Sequence, residues 1–101
     1  MSDLIVGGPA QSGAITAGDE PHQHRFAVNA PGVYTVVVNA DDDFEVSVQD
    51  GNAQTQTQSS GSGIVKASAE LPAGHYFAYV GGSTATSEGN YTIRLKRGNG
   101  P

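Results

Sequence analysis

The 101-residue chain contains no cysteine. It therefore forms neither disulfide bonds nor thiolate metal sites, although this does not fix its compartment. Positive charge is also scarce, because five lysines and arginines stand against ten aspartates and glutamates, for a formal net charge of −5. The backbone of nucleic acid attracts a basic surface, so we expect no nucleic-acid partner.

Long apolar runs are missing as well. No stretch of about twenty apolar residues occurs, so we expect no membrane partner. The N-terminal segment MSDLIVGGPAQSG has neither a basic region nor a long apolar run, so we expect no signal peptide. If Met1 is the native start, the expected location is the cytoplasm of the producing cell or a virion released by lysis. If it is not, an extracellular location is expected.

Helix signals are nearly absent, and turn sequences containing Gly, Pro, Asp and Asn recur at short intervals. Between the turns lie about eight short β-forming segments: 14–16, 22–29, 33–40, 44–49, 53–59, 64–71, 75–80 and 91–96. This spacing predicts an all-β fold, an antiparallel β-sandwich or small barrel. We expect a single β-sandwich domain over residues 13–97, an N-terminal arm at 1–12 and a C-terminal tail at 98–101.

Apolar and polar residues alternate along most of these segments, which separates a core face from a solvent face. The predicted core positions include Phe26, Val28, Tyr34, Val36, Val38, Phe44, Val46, Val48, Tyr91, Ile93 and Leu95. The segment AQTQTQSS at 53–60 has almost no apolar face, which predicts an edge strand or a mobile hairpin arm. Such an edge is either simply solvated or open to pairing with another chain.

Several turn and strand motifs resemble those of the bacterial pre-peptidase C-terminal domain family. The similar runs are GDEPHQHRFAVNAPGVYTVVV, DDDFEVSVQDG, LPAGHYFAYVGG and GNYTIRLKR, which together cover roughly residues 12–97. Leu71, Ala73, Gly74 and Tyr76 form the most specific part. The resemblance implies a jelly-roll-like β-sandwich that serves as a non-catalytic accessory of secreted hydrolases, and some relatives bind calcium, collagen or carbohydrate.

Two histidines stand where that family prefers Asp and Tyr, at the start of the second predicted strand. His22 and His24 lie two residues apart and so share a strand face. An H-x-H pair binds zinc or nickel if a neighbouring strand supplies a third ligand. The alternative is that His24 caps the core and His22 lies at the rim of the sheet.

Asp41, Asp43 and Asp50 are candidate ligands for a calcium ion. Calcium requires six or more oxygen ligands, several of them from carboxylates on a flexible loop. The alternative is that these residues form acidic turns, where Asp is common. We therefore expect no cofactor, with calcium as the one exception to test.

Catalytic motifs are absent from the sequence. There is no G-x-S-x-G elbow, no H-E-x-x-H pair and no phosphate-binding loop. We therefore expect no enzymatic activity.

The stretch HYFAYV at 75–80 carries large apolar side chains on both strand faces. Inward placement of Tyr76 turns Phe77 and Tyr79 outward, and the same reasoning turns Val33 and Val37 outward on another strand. Exposed apolar patches usually mark a partner site, and Phe and Tyr are enriched at interfaces. The alternative is that a loop such as 83–89, or the N-terminal arm, covers them.

We expect a structural protein that docks on a larger assembly through Phe77, Tyr79, Val33 and Val37. The most concrete form is a bacteriophage capsid decoration (cement) or other virion protein, whose partner is a major subunit of the assembly or a second copy of the chain. In that form the arm LIVGGPA lies along a neighbouring subunit. The alternative is an accessory binding module of the pre-peptidase type that binds carbohydrate or protein, with or without calcium.

Overall fold

The computed structural model describes residues 4–8, 10–16, 22–82 and 87–98. They form six strands, which are β1 (Gln11–Ile15), β2 (His22–Val28), β3 (Gly32–Asp50), β4 (Thr55–Leu71), β5 (Gly74–Gly82) and β6 (Gly89–Arg97). Every strand pair within the sheet is antiparallel. Among the described residues, no helix is long and apolar enough to cross a membrane.

The eight predicted segments become six strands because two pairs of them are continuous. The predicted segments 33–40 and 44–49 both belong to β3, and 53–59 and 64–71 both belong to β4. These two long strands form one hairpin that bends in the middle. Ala40 pairs with Gly63 and Phe44 with Gly61, so the three residues 41–43 face the single residue Ser62. Extra residues on one strand bend the pair, and this bulge forms the corner of the fold.

The bend divides the sheet into two half-sheets. The first half-sheet consists of β1, β6, residues 32–40 of β3 and residues 63–71 of β4. The second consists of β2, β5, residues 44–50 of β3 and residues 55–61 of β4. Each half-sheet contains four strand segments. Their order is β1, β6, β3, β4 in the first and β2, β5, β3, β4 in the second, so β4 lies at one edge of both. The predicted antiparallel β-sandwich is confirmed in this form.

The core lies between the inner faces of the two half-sheets. Phe44 and Val46 of the second half-sheet and Val38 and Ile93 of the first are all fully buried. The Phe44 and Tyr91 rings meet edge to face across the interior, with centroids 6.0 Å apart. The alternation predicted from the sequence is therefore confirmed at the core positions, since each of the eleven named above is buried.

A tyrosine fixes the start of a strand at two similar places. The Tyr34 hydroxyl donates to the carbonyl of Ala30 at 2.7 Å, and the Tyr76 hydroxyl donates to the carbonyl of Pro72 at 2.5 Å. Each bond joins residues four positions apart across a Gly-containing turn, so the side chain ties its own turn to the strand. Gly74 in the second turn has φ +157°, a conformation that L side chains rarely adopt. The most specific motif of the sequence thus has a structural role.

The N-terminal segment contacts this chain's own sheet. The Leu4 amide donates to the carbonyl of Arg25 on β2, and the Gly7 amide donates to the carbonyl of Leu95 on β6. Leu4 itself is buried in the core. The part of the arm that we expected to lie along a neighbouring subunit therefore bridges β2 and β6 at Leu4 and Gly7, and Gln11 and Ser12 of the predicted arm belong to β1.

Candidate functional site

Phe77 and Tyr79 lie on the outer face of the second half-sheet, as predicted. They alternate along β5 with the inner residues Tyr76, Ala78 and Val80, which are buried. Both outer rings are half-buried, and their centroids are 6.4 Å apart. The two rings are therefore in contact and form one aromatic surface, which we call the Phe77–Tyr79 surface.

Polar side chains flank this aromatic pair on the neighbouring strands. Arg25 and Gln49 lie opposite Phe77, and Gln23 and Ser47 lie opposite Tyr79. The Gln23 side-chain amide donates to the Tyr79 hydroxyl at 3.1 Å. A shallow depression of about 200 Å³ adjoins Phe77, and its walls are Arg25, Phe26, Ala27, His75 and Tyr76. The surface combines two aromatic rings with amide groups and one cation, a mixture typical of protein interfaces.

Val33 and Val37 lie elsewhere, on the outer face of the first half-sheet. Val33 is half-buried, but Val37, which we expected to be exposed, is only 6% exposed. Its cross-strand neighbours are Lys66 and Arg94, whose long methylene stems cover apolar surface. The structure therefore does not join the four predicted partner residues into one patch, and Val37 is a buried residue.

His22 and His24 lie on the inner face of β2, and their shared partner is Tyr91 of β6. Nε2 of His24 is 2.8 Å from the Tyr91 hydroxyl oxygen, and Nδ1 of His22 is 3.1 Å from it. A hydroxyl donates one hydrogen bond and accepts others, so Tyr91 can donate to one imidazole while it accepts from the other. His24 is buried and His22 is half-buried at the rim, which is the alternative that the sequence left open.

Burial shifts the pKa values of His24 and Tyr91 within this His–Tyr–His cluster. The pKa of His24 lies below its ordinary value of 6.5, first because burial disfavours the charged form and second because His22 is nearby. Burial also raises the pKa of Tyr91 to about 12. Nδ1 of His24 is buried and has no hydrogen-bond partner among the described residues. Burial therefore favours a neutral His24 imidazole and a neutral Tyr91 phenol.

The contribution of Tyr91 to this cluster was missed in the sequence. Its alternation with Ile93 and Leu95 predicted an ordinary core residue, and no local pattern links it to a histidine 67 residues away. The nearest signal was Gly13, because a Cβ atom there would lie 2.6 Å from the Tyr91 ring. The third group beside the two histidines is thus a phenol, which is not among the usual zinc ligands.

The acidic residues are divided between the middle and the C-terminal end of β3. Asp41 and Asp43 lie at the corner, where the Asp41 carboxylate accepts from the amide of Asn90 at 3.3 Å. Asp50 lies at the hairpin tip, where its Oδ1 accepts from the amides of Asn52 and Gln54. Asp50 lies seven residues beyond Asp43 along the strand, which corresponds to about 23 Å of extended backbone.

Asp41, Asp43 and Asp50 therefore do not converge on one site in this structure. Asp41 accepts a hydrogen bond at the bulge, and Asp50 accepts two at the hairpin tip. Among the described residues, no three His, Cys, Asp or Glu side chains come together in a way that would hold a metal ion.

A polar concavity of about 420 Å³ lies on the outer face of the first half-sheet, next to the corner. The residues that line it are Ser12, Gly13, Asn39, Asp41, Asn90, Tyr91 and Thr92. Asp41 supplies its one carboxylate, and the other polar groups are hydroxyls and amides.

Comparison with known proteins finds similarity among solved structures only. No protein-family model matches the chain, and no curated protein matches it significantly. Among solved structures, the chain is similar to the pre-peptidase C-terminal domain of collagenase from Bacillus anthracis, whose crystal structure was determined at 1.0 Å. The TM-score is 0.77 at 16% sequence identity, over 93% of each chain. At this identity the likeness shows a shared fold.

Proposed function

We propose that this chain is a non-enzymatic interaction module that docks on a protein partner through the Phe77–Tyr79 surface. One observation carries the proposal: two large aromatic rings occupy the solvent-facing side of β5, where polar side chains would suffice for folding. Rings placed there expose apolar area that a partner can bury. Aromatic side chains in the centre of a polar surface are the usual anchors of a protein interface.

The similar domain of the collagenase supports the choice of an accessory role over a catalytic one. That domain is a C-terminal part of a larger enzyme, and the motifs of this sequence resemble the same family. The arrangement of the described residues agrees with this choice, because the His–Tyr–His cluster faces the core and the acidic residues are dispersed. We therefore assign partner binding to the outer Phe77–Tyr79 surface and a stabilising role to the buried His–Tyr–His cluster.

Site-specific photo-crosslinking in the producing organism tests the proposal. We would replace Tyr79 with a benzophenone amino acid, irradiate the cells and identify adducts by mass spectrometry. Thr92, exposed on the outer face of the first half-sheet, provides the matched control position. We expect one discrete protein adduct from position 79 and none from position 92. The same adducts from both positions, or none from position 79, would contradict the proposal.

The identity of the adduct distinguishes the narrower alternatives. A major particle subunit would match the bacteriophage decoration role expected from the sequence, whereas an enzyme or its polypeptide substrate would match a pre-peptidase accessory. The double variant Phe77→Ser/Tyr79→Ser should then weaken binding to that partner by at least about tenfold, since anchors of this type contribute 2 kcal/mol or more. Arg94→Gln, on the other half-sheet, should leave affinity unchanged.

Calcium dependence is tested separately by thermal melting. A ligand that binds only the folded state raises the melting temperature. Because Asp41, Asp43 and Asp50 do not converge, we expect no rise in millimolar calcium. A rise that Asp41→Asn removes would instead favour the calcium-dependent form of the module.

A further inference from the structure

The outer edge of β4 is the longest strand edge that is unpaired among the described residues. β4 pairs with β3 along Thr55–Leu71, while β6 and β5 occupy the opposite edge of β3. The other end strands, β1 and β2, are much shorter, with five and seven residues. A free edge presents a row of N–H and C=O groups with which another strand can pair.

The two halves of this edge differ in how well they determine the register of a partner strand. Residues 55–61 carry no charge and no large apolar side chain, so a pairing register there is weakly determined. Residues 64–71, with the sequence IVKASAEL, have inner apolar residues and two outer charges of opposite sign. The bend at Gly61–Gly63 separates the halves, so a straight partner strand follows only one of them. Residues 64–71 are the half with a defined pattern.

We propose that this half-edge pairs antiparallel with the same segment of a second copy of the chain, about a two-fold axis at Ser68. In this register Lys66 lies opposite Glu70 of the second copy, and symmetry repeats the pair. Opposite charges directly across an antiparallel pair stabilise it, and like charges destabilise it. A two-fold interface requires such a self-complementary surface, and the spacing of Lys66 and Glu70 around Ser68 provides one.

The same register also matches the apolar residues. On the inner face, Val65 lies opposite Leu71 of the second copy, and Ala67 lies opposite its Ala69. On the outer face, Ile64 lies opposite Pro72 of the second copy. Ile64 is 63% exposed in the single chain, one of few large hydrophobic side chains so exposed. The pairing would cover it, which accounts for an exposed isoleucine at this edge.

Neighbouring registers lose these matches. A two-fold axis at Ala67 places Lys66 opposite a serine and Glu70 opposite an isoleucine. With the axis at Ala69, Lys66 faces a proline and Glu70 a serine. An axis between two residues sets inner side chains against outer ones, because side chains alternate with a period of two. The axis at Ser68 is therefore the one that pairs both charges in residues 64–71.

This interface does not use the surface proposed for docking. Phe77 and Tyr79 lie on β5 in the second half-sheet, whereas residues 64–71 form the edge of the first. The dimer therefore leaves the Phe77–Tyr79 surface accessible, and either proposal can fail without the other.

Charge-swap variants examined by analytical ultracentrifugation test the dimer. Wild-type protein should dimerise at low salt as its concentration rises toward about 1 mM, and salt should weaken the dimer. Lys66→Glu alone and Glu70→Lys alone should each raise the dimer Kd by at least about tenfold, because both attractive pairs become repulsive. An equimolar mixture of the two variants should regain dimer formation, as should the double variant K66E/E70K.

Control measurements keep loss of folding apart from loss of pairing. Arg94→Glu makes the same charge change on β6, away from the edge, and should leave the dimer Kd within about threefold of wild type. Within one copy Lys66 lies near another cation, Lys96. The pKa of Lys96 is lowered first by burial and then by the charges of Lys66 and Arg94. Lys66→Glu therefore removes a repulsion, and its melting temperature as a dilute monomer should not fall.

Three results would overturn the proposal. The first is a wild-type chain that stays monomeric to about 1 mM at low salt, the second is a dimer that is indifferent to either charge swap, and the third is a mixture of swaps that fails to associate. Amide hydrogen exchange gives an independent readout: exchange in residues 64–71 should slow with concentration in wild type and not in Lys66→Glu.

Discussion

At the scale of single residues, the Tyr91 hydroxyl lies within hydrogen-bond distance of two imidazoles in the interior. Tyr91 approaches His22 and His24 from the opposite half-sheet, and Gly13 leaves the space that its ring occupies. The rings of the two histidines also meet the Tyr91 ring edge to face, each with centroids 5.9 Å apart. His22 and His24, for which the sequence left a metal-binding role and a core role open, are thus part of the contact between the two half-sheets.

The position of His24 predicts a loss of stability in mild acid. A protonated His24 would carry an N–H on Nδ1, where the described residues provide no acceptor. Its pKa in the folded state lies below 6.5, so the unfolded chain binds the proton more readily. The free energy of unfolding should therefore be greatest above pH 6.5 and fall as the pH drops below it, until the pH passes the folded-state pKa.

Urea unfolding between about pH 8 and pH 5 measures this effect. His24→Leu should remove the histidine-dependent part of the slope, whereas His75→Gln, at an exposed site, should keep it. A His24→Leu variant with the same pH profile as wild type would show that His24 is not the responsible group.

At the scale of elements, the fold depends on the bent hairpin of β3 and β4. This single pair supplies strand segments to both half-sheets, and its bend consists of the bulge at 41–43 opposite Ser62. Gly63 at the bend has φ +77°, and no atom lies within 4 Å of the place where its Cβ would be. The requirement for glycine there comes from the backbone conformation and not from space.

Replacing Gly63 with alanine should therefore destabilise the protein by about 1–2 kcal/mol, the penalty for an L residue in the left-handed region. Gly51 is a matched control, because its surroundings are equally open and its φ is not in that region. Gly51→Ala should be neutral or should stabilise by a few tenths of a kcal/mol, through the unfolded chain. Equal effects of the two variants in chemical unfolding would count against a conformational requirement at the corner.

At the scale of the whole molecule, the N-terminal segment ties the two half-sheets together beside their β1 and β2 edges. Leu4 pairs with Phe26 of the second half-sheet, and Val6 pairs with Leu95 of the first. The neighbouring side chains alternate sharply in burial, since Leu4 is 4% exposed and Ile5 is 67% exposed. The segment therefore acts as part of the domain and not as a free arm.

Leu4→Ala should lower the free energy of unfolding by about 2–4 kcal/mol, because it removes a buried side chain and leaves a cavity. Ile5→Ala truncates a side chain of similar size at the next position, and it should change stability by less than about 0.5 kcal/mol. Thermal or urea unfolding of both variants checks this pair. A Leu4→Ala variant as stable as wild type would mean that the segment is held loosely and remains available to a neighbour.

The sequence by itself determined the fold class, the core faces and the turns that precede Tyr34 and Tyr76. These features are local: the period of two fixes which side chains share a face, and a Gly before an aromatic residue fixes where a strand starts. The predicted core residues Phe44, Val46 and Val48 are buried for this reason, and Phe77 and Tyr79 face outward by the same rule.

Only the tertiary structure decided which segments join and which residues meet. Asp41–Asp43 could have been a turn between two strands, but pairing with β4 across the corner made it a bulge within one strand. Val37 follows the outward pattern and is nevertheless buried between long side chains of two other strands. His24 meets Tyr91 across 67 residues. Such contacts depend on the global pairing of strands, which no local pattern encodes.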